Sequence, residues 1–173
     1  MIMRPGQQQL LLPLSPLFMW SSLFMALLLN MIPIGRAAWT PDLLALAIVF
    51  WSVHQPTRIG IGVAFAFGLV MDVHQSSMLG QHALSYTTLG YLAIVIHRRL
   101  LWYPVASQAL QVLPLFALSH AIELAIRMIG GGAFPGWNLL VSPFVETLLW
   151  PLASVLLLAP QRRTPEPDAN RPL

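Results

Sequence analysis

The stretch Phe67–Ser85 reads FGLVMDVHQSSMLGQHALS. It opens apolar and places Asp72 and His74 where a membrane helix is expected to end. It turns through Gln75, Ser76 and Ser77, then resumes at Gly80-Gln81-His82 and runs into a second apolar segment. The reading is a hairpin of two apolar helices joined by a polar turn. Polar side chains set this close to apolar ones mark an active site, a ligand site or a structural joint.

Outward from this hairpin the chain is built of long apolar runs. Of its 173 residues, 57% are hydrophobic and 9% are charged, against about 25% charged in a soluble domain. That leaves too little polar surface to cover a water-soluble globule, so the expected class is an all-α polytopic membrane protein. A transmembrane barrel would need strands of about ten alternating residues, and continuous apolar runs stand in their place. The absence of cysteine excludes disulfides, thiolate metal sites and Cys nucleophiles. Lysine is absent too, which excludes Schiff-base chemistry and a Walker-type phosphate lysine. The nine Arg are scattered between apolar runs, a pattern that reflects topology and not nucleic-acid binding.

Six transmembrane helices are expected. Residues 1–13 form a polar cytoplasmic start with Arg4 and Gln7 to Gln9. The apolar run that follows is too long for a signal-peptide core and is read as a retained first span, 14–34, with Ser21, Ser22 and Asn30 as tolerated polar interruptions. A loop with Arg36 and Trp39 leads to Thr40-Pro41-Asp42, a helix-start signal with a capping residue. Segments 43–53 and 59–71 are short; they either span a thinned region or form a re-entrant hairpin. Span four, 79–96, ends at His97-Arg98-Arg99; span five, 104–129, carries Pro114 as a kink. Gly130 to Gly132 and Pro135-Gly136 make a flexible loop before span six, 137–159, which holds Pro143 and Pro151. The membrane domain is then 14–159, and the Pro-rich tail 160–173 is expected to be disordered and cytoplasmic.

With the N-terminus inside, seven Arg fall on the inner face: Arg4, Arg58, Arg98, Arg99, Arg162, Arg163 and Arg171. Two, Arg36 and Arg127, fall outside. This positive-inside bias predicts N-in, C-in. It also sorts Asp42, Asp72, Glu123 and Glu146 into the outer half.

Asp72 carries two readings. As an intramembrane acid it binds an ion, relays a proton or fixes a partner. As a helix-end residue it bonds the turn Gln75–Ser77 and faces interfacial water. Asp42, Gly80, Gln81 and His82 complete this partner or structural polar site. Gly60, Ala64 and Gly68 recur at four-residue spacing, a small-residue stripe for close internal packing or for a self-dimer face. Its drift of about 40° per step puts Asp72 off the stripe's centre. His120, Glu123 and Arg127 share a face of span five, with Glu123 and Arg127 in the favourable i, i+4 order. They read as an ion pair near the outer interface or, with Glu146, as an intramembrane ion network. His74, His82 and His120 match no zinc spacing, and HExxH is absent. No GxSxG surrounds Ser76, Ser77 or Ser85. No catalytic residue, cofactor or metal is assigned.

Extended by one residue, FGLVMDVHQSSMLGQHALSY (67–86) resembles the signature region of the rod shape-determining protein MreD family, in its proteobacterial form. Pro41-Asp42-Leu43-Leu44, Trp51 with His54-Gln55-Pro56, and Arg98-Arg99 support it, so residues 40–100 carry the resemblance. It implies a non-enzymatic scaffold subunit of the cell-wall elongation (rod) complex, multi-pass in the bacterial inner membrane, that maintains rod cell shape. The implied partner is a single-span MreC-like protein, with the actin-like MreB, RodA and a class B penicillin-binding protein reached indirectly. The implied membrane core is similar to the substrate-binding subunits of energy-coupling-factor transporters. The family pattern points to Asp72, Gly80, Gln81, Ala83 and Leu84, with Pro41 and Asp42, and to no catalytic residue. The alternative is a small-molecule, vitamin-like binding subunit of a transporter, with the Asp72–His82 joint in an outward-open pocket. The Arg-rich inner face is expected to meet anionic membrane lipid or a cytoplasmic filament, and no nucleic acid.

Overall fold

A computed structural model describes residues 15–32 and 40–161. Among them the only regular elements are helices: α1 Pro16–Met31, α2 Leu43–His54, α3 Ile61–Gln75, α4 Gln81–Leu100, α5 Val105–Ile129 and α6 Ser142–Leu158. Short 3-10 turns at Trp137–Val141 and Ala159–Gln161 flank α6. The expected polar start, Arg36, Trp39 and the Arg-rich tail lie outside the described residues.

The organising element is α2. Its sequence LLALAIVFWSVH is apolar all round, and every side chain from Leu44 to Val53 is buried. A helix without a polar face must be enclosed, and α1, α4 and α6 pack around this one. At 12 residues it is about 18 Å long, well short of a ~30 Å hydrocarbon core. Aromatic rings fill the space around it. Trp51 stands edge-on to Phe18 at 6.3 Å and to Phe50 at 4.9 Å, and Phe50 reaches Trp150 of α6 at 6.2 Å. The α3 helix rests mainly on α4, and α5 bridges α4 and α6.

The outer faces are apolar. Phe24 and Leu28 on α1, Leu110 on α5, and Leu148, Leu152 and Leu156 on α6 are exposed. Contiguous apolar surface of this kind suits lipid and not water. Two helical segments, Val105–Ile129 and Trp137–Leu158, are long and apolar enough to cross a membrane, and α1, α2 and α3 are shorter apolar helices.

Several boundaries move. The third helix continues through Asp72 to Gln75 and stops at Ser76, whose φ of 51° is left-handed. The Ser77 N–H returns to the Asp72 carbonyl at 3.1 Å, a helix-ending bond that accounts for the extra turn. The fourth helix starts only at Gln81, because Gly80 before it holds φ +102°. The last segment opens as a 3-10 turn, and Pro143 sits in the first turn of α6 instead of its interior. A proline there forfeits no helical hydrogen bond. Pro114 and Pro151 do lie inside their helices.

Candidate functional site

The opening stretch folds into a tight corner because Gly68 lets two backbones meet. A Cβ at Gly68 would collide with the backbone of Ala83 and the carbonyl of His82. One turn further on, α3 delivers Asp72, fully buried, to the first turn of α4. Its Oδ2 accepts from the backbone N–H of Gly80 at 2.8 Å and of Ala83 at 3.3 Å. Its Oδ1 accepts from the His82 N–H at 2.7 Å and from Ser77 Oγ at 3.0 Å, and lies 2.9 Å from His82 Nδ1.

The first amides of a helix have no partner within it, and they form its positive end. The cap position of α4 is Gly80, which has no side chain to offer. The α3 carboxylate supplies that cap from the neighbouring helix. Of the two readings of Asp72, the buried acid fits this geometry and the one facing interfacial water does not: Asp72 has no exposed surface, and its carboxylate is taken up by the first turn of α4 and by Ser77. Its bond to Ser77, within the expected turn, is present. Gln81 is half-buried beside the corner.

The small-residue stripe is shorter than expected. Ala64 is buried, and a Cβ on Gly90 of α4 would stand 3.3 Å from its Cβ. Gly60 precedes the helix and a Cβ there would meet nothing within 4 Å. The face turned to α4 therefore runs Ala64, Gly68, Asp72, so Asp72 continues the stripe instead of lying off its centre.

A second polar cluster surrounds Asp42. As the N-cap of α2, Asp42 accepts from the Ala45 N–H at 2.8 Å through Oδ1. The same oxygen accepts from Asn30 Nδ2 of α1 at 2.6 Å, and Oδ2 accepts from the Tyr86 hydroxyl of α4. Asn30 Oδ1 in turn accepts from the Leu43 N–H at 3.1 Å. The Asp42 N–H donates to Glu146 Oε1 of α6 at 2.9 Å, and that oxygen lies 2.9 Å from His120 Nε2 of α5. His120 Nδ1 is 3.7 Å from Glu123 Oε2. Glu123 Oε1 accepts from Ser85 Oγ of α4 at 2.8 Å, and Ser85 and Ser119 share a hydroxyl contact of 2.5 Å.

Five helices thus meet in one polar network, with His120 between two carboxylates. His82 and Tyr86, one turn apart with rings 6.0 Å apart, connect it to the Asp72 corner. His120, Glu123 and Glu146 come together as an interhelical arrangement. Arg127 does not join them. It is exposed, its side chain lies against Gly132, and it makes no ion pair among the described residues. Glu123 is turned toward α4, where Ser85 waits, and away from the i+4 position on its own helix.

Asn30, Ser85, Tyr86 and Ser119 were absent from the expected site. Asn30 had a readable signal, since an amide inside an apolar helix needs a partner. Ser22 is similar and accepts from Trp51 Nε1 at 2.8 Å. His74 lies apart from both clusters, lining a groove with Met31, Leu69, Val70 and Val73. Among the described residues no group of three or more His, Asp or Glu is arranged to hold a metal.

A family model described as rod shape-determining protein MreD matches residues 12–159 of the chain. The chain is similar to the rod shape-determining protein MreD of Haemophilus influenzae, at 27% identity over 135 residues that cover 76% of this chain and 81% of that protein. No solved structure matches it significantly.

Proposed function

The chain belongs to the rod shape-determining protein MreD family, and from that membership we propose that it is a non-enzymatic scaffold subunit of the cell-wall elongation complex. Its role is in rod shape determination, and its place is the membrane. In this reading it is a multi-pass protein of the bacterial inner membrane. It holds a single-span MreC-like partner and, through it, acts with the actin-like MreB, RodA and a class B penicillin-binding protein.

One observation carries the scaffold reading. The acids of the two clusters spend their hydrogen bonds on the chain's own backbone and on side chains of neighbouring helices. Asp72 caps α4, Asp42 caps α2, and Glu146 takes the Asp42 amide. Carboxylates committed in this way stiffen a joint between helices, which is what a platform for another protein requires.

The experiment is copurification of the tagged full chain from rod-shaped cells in a mild detergent, with a deletion strain beside it. An MreC-like protein in the eluate, and rounded cells on deletion, are the expected results. A chain that elutes alone from cells with intact rod machinery sinks the scaffold reading. Normal rods with a defect in uptake of a small molecule would favour a transporter subunit instead.

A further inference from the structure

We propose that the end of the bundle opposite the carboxylates binds an anionic phospholipid headgroup through Arg98 and Arg99 beside Trp102. The last turn of α4 and the turn after it form a shallow open groove lined by His97, Arg98, Arg99, Leu101 and Trp102. No acid lines it. Asp42, Asp72, Glu123 and Glu146 all belong to the joint at the other end of α4, and neither Arg makes an ion pair among the described residues.

An Arg at a helix C-terminus often serves to bond the last carbonyls. Here that work is done by backbone. The carbonyls of His97, Arg99 and Leu100 accept from the N–H groups of Leu101, Trp102 and Tyr103 at 3.0, 3.3 and 3.2 Å. His97 Nδ1 is bonded to the Ile94 carbonyl. The two guanidiniums therefore remain available, and their planar forks match phosphate oxygens.

The surroundings select a lipid over a soluble phosphate. Trp102 is 89% exposed and Tyr103 and Leu101 stand beside it, also exposed. Such rings sit at headgroup depth in a membrane protein. Tyr91, Val95 and Arg98 follow one another at spacings of four and three, so they share a face of α4. Tyr91 and Val95 on that face are exposed and apolar. A cationic head contact above an apolar strip fits a phosphate headgroup with its acyl chain running along the helix. A free phosphate or an acidic protein would leave the strip unused.

The test reads Trp102 fluorescence in the full chain reconstituted in nanodiscs, with a Trp102→Phe chain subtracted. The probes are acyl-brominated phosphatidylglycerol and phosphatidylcholine. Phosphatidylglycerol is expected to quench at a roughly tenfold lower mole fraction. The double variant Arg98→Gln, Arg99→Gln should quench equally with both lipids, while Arg98→Lys, Arg99→Lys retains part of the preference. Arg58→Gln should retain all of it. Equal quenching by the two lipids in the parent chain overturns the proposal, and that comparison needs no variant to fold. Displacement of phosphatidylglycerol by millimolar inorganic phosphate, or an equal loss of preference in Arg58→Gln, overturns it as well.

Discussion

At the residue scale, Asp72 and Asp42 do the same work at unequal depth. Asp72 is fully buried and accepts from three backbone amides, Ser77 and His82. Removing it takes the acceptor from those amides, and each buried orphan costs roughly 1–3 kcal/mol. Asp72→Ala is expected to lower stability by about 3–5 kcal/mol, read as the unfolding midpoint of the purified chain in detergent. Asp42 is half-buried and its loss strands one backbone amide, Ala45, beside the side chains of Asn30 and Tyr86, so Asp42→Ala is expected to cost less than Asp72→Ala, which strands three amides. Asp72→Asn is expected to sit near Asp72→Ala, because its NH2 group would be set against N–H donors that need an acceptor. An Asp72→Ala chain as stable as the parent, with normal rods, would remove Asp72 from the joint.

At the element scale, the α3–α4 hairpin depends on one close approach. Gly68 has no room for a side chain against Ala83, whereas Gly60, four residues before Ala64, has open space around it. Gly68→Ala should therefore cost at least about 2 kcal/mol, as overpacking against a rigid backbone does. Gly60→Ala should change stability by less than about 0.5 kcal/mol. Similar midpoints for the two variants would mean that close packing extends along the whole small-residue stripe. Gly80 adds a separate constraint through its φ of +102°, a conformation in which a side chain is strained.

At the scale of the whole molecule, the network from Asn30 to Glu146 ties together α1, α2, α4, α5 and α6 at one end. His120 stands between Glu123 and Glu146, so His120→Ala leaves two buried carboxylates facing each other across a cavity. A loss of about 3 kcal/mol is expected. Arg127→Ala should stay within about 0.5 kcal/mol, since Arg127 lies outside the network. Thermal unfolding of the two variants side by side checks both values. A large effect at Arg127 with none at His120 would restore the i, i+4 pairing that its sequence position suggests. Carboxylates gather at one end of the bundle while Arg58, Arg98 and Arg99 lie at the other, which gives it an electrostatic polarity suited to a fixed orientation in a membrane.

The sequence by itself determined the helical class, the membrane environment and Asp42 as a helix start. These follow from composition and from spacing along a single segment, and such signals are local. It also marked Asp72, Gly68, His120, Glu123 and Glu146 as residues to explain. The sequence already offered Ser77 to Asp72 and Glu146 to the His120–Glu123 pair; the other bonds were decided only by tertiary structure. A carboxylate placed inside an apolar bundle takes whichever donors the neighbouring helix presents, and that depends on which faces meet. So Asp72, left between a buried acid and a helix end facing water, caps α4; Asn30, expected to be a bystander, holds the start of α2; and Glu123 turns to Ser85 and His120 instead of Arg127. The common cause is that unpaired donors at helix ends are fixed by the backbone, while the acceptor that reaches them is chosen by packing.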